Sequence, residues 1–196
     1  MGSLQRSDLE TLFASIDAKL EKQINLFIIG GAAAILGYNV QKVTNDIDLE
    51  TSIDQQFQEL FKSEAQKLKL DVMLSFRGGV FYPPEGYRER MIEFKDFPNK
   101  KLRVYTLDKY DLAISKIDRG SQKDFDDIES IHSKSAFDLN ELIKIFNDEY
   151  INVVATGNLR EKKMNLLQLI EILFGAEEIG RAHVWTPVTV IYLVCR

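Results

Sequence analysis

Two pairs of residues near the start of the chain have the types and spacing to do chemistry together. Gly30 and Gly31 close the apolar run FIIGG, and Asp46 and Asp48 flank Ile47 in NDIDLE. Glycines let a backbone turn tightly with its N–H groups turned outward. The helix expected next, over 32 to 36, would bring the positive end of its dipole to the same place, so a phosphate chain could sit there. On a strand, Asp46 and Asp48 leave one face while Ile47 and Leu49 point into the core. Their α-carbons would stand about 7 Å apart, close enough for both carboxylates to converge on one or two hard cations, with magnesium the natural guest. Each half also has an ordinary reading. A glycine pair after a strand is common turn chemistry, and two aspartates on a strand face can simply be solvated. Aspartate is nevertheless depleted in strands, and two facing the same way repel unless a cation or water screens them.

The elements that must position these groups follow from periodicity. Leu9, Leu12, Phe13, Ile16 and Leu20 repeat at helical spacing, which predicts an amphipathic helix over 8 to 22. Next come a strand over 25 to 29, the short helix, a strand over 46 to 51, a helix over 54 to 68 and a strand over 70 to 76. A loop with Gly78, Gly79, Pro83, Pro84 and Gly86 follows and reads as a flap near the site. Strands near 88 to 94 and 101 to 106 complete a mixed sheet, and helices near 108 to 118, 122 to 132, 138 to 149 and 158 to 176 close the chain. The expected class is α+β, a mixed sheet with helices on one face and a C-terminal helical bundle. The division is a core over 1 to 106, a helical region over 107 to 178 that completes the site, and a tail over 179 to 196.

Gly30-Gly31 followed by Asp46-Ile47-Asp48-Leu49 resembles the signature of the nucleotidyltransferase superfamily with the polymerase-beta-like fold. The segment YDLAISKIDRGSQKDFDDI, residues 110 to 128, is similar to the later motifs of abortive-infection type IV toxin nucleotidyltransferases and related minimal enzymes. The resemblance spans about residues 24 to 130. It implies transfer of a nucleoside monophosphate from a nucleoside triphosphate to an acceptor, with release of pyrophosphate. It makes Asp46 and Asp48 the metal-binding pair, Gly30 and Gly31 the triphosphate-contacting turn, and Asp71 the match for a third carboxylate that acts as metal ligand or base. Lys116 would meet the triphosphate as a compact positive charge, although an exposed helix lysine paired with an acid is the ordinary alternative. Arg119 matches a basic position and could equally face its helix dipole. Asp124 and Asp127 share a helix face and match acidic positions, while Ser121 and Asp124 also read as a capping box with Asp in place of Glu.

Composition fits a compact protein. The net charge of −5 argues against broad attraction to nucleic acid. A local exception is the stretch from Arg77 to Arg103, where Arg88, Arg90, Lys95, Lys100 and Lys101 interleave with Phe76, Phe81, Tyr82 and Tyr87. It reads either as a surface for an RNA end, stacking bases on its aromatics, or as a strand with arginines at its solvated end. The single cysteine, Cys195, excludes an internal disulfide and a multi-cysteine zinc site, and with only His132 and His183 a Ser-His-Asp mechanism lacks parts. No stretch approaches a membrane span and the polar start is no signal peptide, so a cytoplasmic location is expected. The run IGRAHVWTPVTVIYLVCR has no continuity with the helix before it and looks like translated adapter DNA, although VTVIYLV also has strong strand propensity.

Three readings of function follow. The first is a magnesium-dependent nucleotidyltransferase, toxin-like and partnered by an antitoxin, acting on an RNA such as transfer RNA or on a protein. The second is an inactive nucleotide-binding module, favoured by Ala32 where many members of the superfamily place a serine. The third is transfer of nucleotide to a small antibiotic, which differs only in the acceptor pocket.

Overall fold

The computed structural model describes residues 4–41, 46–76, 82–153 and 158–185. The chain divides into two compact units, one of residues 1–81 and 87–112, the other of 82–86 and 113–196. Its class is α+β, built on a mixed five-stranded sheet.

In the first unit the order is α1 (Arg6–Asp17), β1 (Ile24–Ile29), α2 (Gly30–Tyr38), β2 (Asp46–Leu49), α3 (Gln55–Lys67), β3 (Met73–Phe76), α4 (Tyr87–Arg90), β4 (Ile92–Phe94), β5 (Leu102–Thr106) and the start of α5 (Lys109–Ile117). The strands lie in the order β3-β2-β1-β5-β4. β1 runs antiparallel to β2 and parallel to β5, β2 is parallel to β3, and β4 is antiparallel to β5. Leu26, Ile28, Ile47, Leu49, Leu102, Val104 and Phe94 alternate onto one buried face. α2 lies against β1, β2 and β5, and α1 lies against β5, α2 and α3. The opposite face carries Asn25, Phe27, Asp46, Asp48, Arg103 and Tyr105, none of them fully buried. Phe27 and Tyr105 are level with each other in the sheet and stack at 5.3 Å.

Polar anchors explain several differences from the expected element bounds. α1 stops at Asp17, not near residue 22, because the Asp17 carboxylate accepts the backbone N–H groups of Lys100, Lys101 and Leu102 at 3.2, 2.7 and 2.6 Å. Burial opposes ionisation of this group, yet the three backbone donors hold its pKa below the usual carboxylate range. α3 starts where expected, with Asp54 capping the N–H of Phe57 at 2.8 Å. The strand expected over 88 to 94 is instead a helical turn, α4, followed by the short β4. The turn is favoured because Arg90 folds back onto the fully buried Asp111, at 2.7 and 3.1 Å, rather than pointing to solvent from a strand.

The second unit is helical: the end of α5, α6 (Gln122–Lys134), α7 (Leu139–Ile145), a π turn over Phe146–Tyr150, α8 (Ile151–Val153), α9 (Leu159–Phe174) and α10 (Ala176–Trp185). Ile114, Ile117, Phe125, Ile128, Ile131, Leu142, Phe146, Leu166, Leu169 and Ile170 are among its buried residues. α9 closes the C-terminal end of α5. Asn165 donates to the Ile117 carbonyl at 2.9 Å, and Lys162 donates to that of Asp118, satisfying carbonyls that the helix leaves open. Gly120, at φ 60°, turns the chain there, and a Cβ at that position would lie 2.1 Å from the Asn165 amide nitrogen. The positive φ favours glycine, and a side chain there would also have to displace the Asn165 amide. Part of the predicted flap, residues 77 to 81, and the strand alternative for the tail lie outside the described residues.

Candidate functional site

Gly30 is not a loop residue between strand and helix. It is the first residue of α2, with φ 66°, so β1 passes directly into the helix. Ile29, just before it, is level with Asp48 across the antiparallel β1–β2 pair. A Cβ on Gly30 would lie 2.7 Å from Asp48 Oδ2, closer than real side chains approach. The glycine turn and the second aspartate therefore share one small space, and the absence of a side chain is what opens it. α2 has no side-chain cap, so no side chain takes its first N–H groups. Asp46 and Asp48 are half-buried while Ile47 and Leu49 are buried, which is the alternation that places both carboxylates on one face.

Asp71 is exposed and precedes β3, two residues before Met73, which is level with Asp46; the residue level with Asp48 is Ser75. Among the described residues no three His, Cys, Asp or Glu side chains stand together as metal ligands. The residues present that could hold a cation are Asp46 and Asp48, on one face of β2. Two hard oxygen donors on one face beside a Cβ-sized cradle fit a magnesium ion that keeps several waters and takes further oxygens from a phosphate.

In the second unit, Lys116, Arg119, Asp124 and Asp127 form one ionic network. Lys116 is buried, with Nζ 2.5 Å from Asp127 Oδ2 and 3.5 Å from Asp124 Oδ1. Arg119 grips Asp124 through Nη2 at 2.6 Å and Nε at 3.2 Å, and Ser121 Oγ donates to Asp124 Oδ2 at 2.7 Å. Burial raises the Asp124 pKa, but the hydrogen bonds from Arg119 and Ser121 and the charge of Lys116 outweigh it and hold the group below its ordinary value. The capping reading also holds, because Ser121 is the N-cap of α6 and accepts the N–H of Asp124. Lys116 is no exposed surface lysine.

The basic stretch is largely paired within the first unit. Arg90 is held by Asp111, Arg103 and Lys95 share Glu93, and Lys101 Nζ donates to the Leu20 carbonyl at 2.5 Å. Arg77 and Phe81 lie outside the described residues. Glu50, two residues beyond Asp48, has no role in the sequence reading and is engaged by two residues of the basic stretch. Glu50 accepts the Tyr87 hydroxyl at 2.5 Å and also pairs with Arg88. The signal for Glu50 was present: it continues the alternation of Asp46 and Asp48. Tyr87 and Arg88 read as part of the basic, aromatic stretch, and their pairing with Glu50 is not visible in local sequence.

Among the described residues no helix is long and apolar enough to cross a membrane. Neither the curated proteins nor the solved structures returned a match to the chain. One family model does match, described as "Nucleotidyltransferase of unknown function (DUF6036)", over residues 7–172. That span takes in Gly30, the Asp46–Asp48 pair, Asp71 and the Lys116 network, and the chain belongs to this nucleotidyltransferase family.

Proposed function

We propose that the protein is a magnesium-dependent nucleotidyltransferase that moves a nucleoside monophosphate from a nucleoside triphosphate to an RNA or protein acceptor, as the toxin of a toxin–antitoxin pair in the cytoplasm. The observation that supports the reading is the close approach of Gly30, the first residue of α2, to Asp48, whose strand neighbour Asp46 shares its face. The first N–H groups of α2 would receive phosphate oxygens, and the half-buried Asp46 and Asp48 would hold the metal. Magnesium bound there would activate the acceptor hydroxyl and stabilise the departing pyrophosphate. The acceptor oxygen forms a bond to the α-phosphorus as the bond from that phosphorus to the bridging oxygen breaks, and the hydroxyl proton passes to a base, a role for which the resemblance offers Asp71 or Asp127. Lys116, Arg119 and Asp124 belong to the same proposal as charge-neutralising groups. For Lys116 or Arg119 to take a phosphate oxygen, it would exchange one of its carboxylate partners for it.

The test is incubation of the full chain with each α-labelled nucleoside triphosphate, magnesium and total RNA or total protein. Label transfer that disappears in Asp46→Ala and Asp48→Ala supports the proposal, and transfer that survives both substitutions overturns it. A second reading, a nucleotide-binding module without turnover, is favoured because among the described residues no third side chain is grouped with the pair as a metal ligand. Triphosphate binding without pyrophosphate release, with RNA, protein and small-molecule acceptors all present, would select it.

A further inference from the structure

Glu50 extends the row begun by Asp46 and Asp48. Its N–H donates to the Phe27 carbonyl at 3.0 Å, which keeps it in step with β1, and the alternation places its side chain on the same face about 7 Å beyond Asp48. A third bare carboxylate there would repel a polyanion. Glu50 is instead answered by Tyr87 and Arg88. Its side chain is 10 % exposed, whereas that of Arg88 is 64 % exposed. Arg88 Nε donates to the Tyr87 hydroxyl at 3.0 Å, and its guanidinium carbon lies 5.8 Å from the centre of the Tyr87 ring. Burial and Glu50 push the Tyr87 hydroxyl above its ordinary pKa, so it stays a donor at neutral pH. The guanidinium is thus oriented from one side while most of its surface faces solvent. Arg90, by contrast, lies on buried Asp111, and Arg103 lies on Glu93.

We propose that Arg88 is a nucleotide-binding residue that contacts phosphate oxygens of the triphosphate, with Glu50 and Tyr87 as the positioning residues that aim it. This rests on the nucleotide-transfer reading above and adds a residue to its site. A planar fork suits bidentate phosphate contact, and a fork already fixed by two partners loses less freedom on binding. Surface ion pairs add little stability, so a purely structural Glu50–Arg88 pair would leave nucleotide affinity untouched.

The experiment is equilibrium dialysis of the full chain against each of the four α,β-methylene nucleoside triphosphates with magnesium, alongside thermal melts. Arg88→Ala weakens binding by about tenfold, the loss of one charge-assisted contact, with little change in melting temperature. Arg88→Lys recovers only part of the loss, because an ammonium cannot keep the fork. Glu50→Gln and Tyr87→Phe weaken binding by smaller factors, and neither has a further effect once Arg88 is alanine. Wild-type binding with Arg88→Ala equally tight overturns the inference while sparing the transfer reading, as do Glu50→Gln and Tyr87→Phe effects that persist without Arg88. Should no analogue bind the wild type, the transfer reading falls and takes this inference with it.

Discussion

At Gly30 one added methyl group would act in two ways. It would force a side chain into a backbone conformation that only glycine adopts readily, at about 1 kcal/mol or more, and it would press on Asp48 Oδ2. Gly30→Ala is therefore expected to lose nucleotide binding out of proportion to its stability. A fall in melting temperature of a few degrees should accompany near-complete loss of label transfer. A variant that melts lower but transfers at the wild-type rate would show that the space beside Asp48 serves packing alone. The asymmetry between Asp48 and Asp71 belongs to this scale as well. Both are aspartates near strands, but register places Asp48 beside the glycine, while Asp71 sits exposed before its strand begins.

Between elements, buried carboxylates act as fasteners. Glu64 on α3 is 2 % exposed and binds Lys19 Nζ at 2.5 Å, Lys67 Nζ at 2.7 Å and Ser15 Oγ at 2.5 Å, tying α3 to α1 and the residues after it. Hydrogen bonds from Lys19, Lys67 and Ser15 lower its pKa from 4.5 to about 2. The folded-state value lies below the unfolded one, so the stabilisation is fully present above about pH 4.5 and is lost as the pH falls toward 2. Thermal melts from pH 6 to pH 2 should show the wild type losing stability across this window. Glu64→Gln should start lower and change less steeply, and parallel curves for the two proteins would remove Glu64 from the acid response. Asp17, which clamps the start of β5 to the end of α1, acts in the same direction.

For the whole molecule, the alternation of Asp46, Ile47, Asp48 and Leu49 was enough to read both the strand and the face its carboxylates occupy, and the helical repeats gave most of the remaining elements. What local pattern could not show was pairing across distance. Arg90 was written into a strand because its partner, Asp111, lies 21 residues away and draws the chain into a turn instead. Glu50 continues the aspartate alternation, but local pattern does not reveal that Tyr87 and Arg88, beyond α3 and β3, answer it. The basic stretch looked available for RNA because sequence counts charges without their partners, and Glu93 and Asp111 take up much of that charge. Lys116 and Asp127 were legible as members of a motif, but the depth of their burial was not. The account as a whole stands on the space between Gly30 and Asp48 being a metal-and-phosphate site. The most direct measurement is a crystal structure with manganese in place of magnesium and an α,β-methylene nucleoside triphosphate, read by anomalous scattering. The account predicts a manganese peak coordinated by Asp46 and Asp48, with the triphosphate against the first turn of α2. A triphosphate bound elsewhere, with no manganese at the aspartate pair, would contradict it.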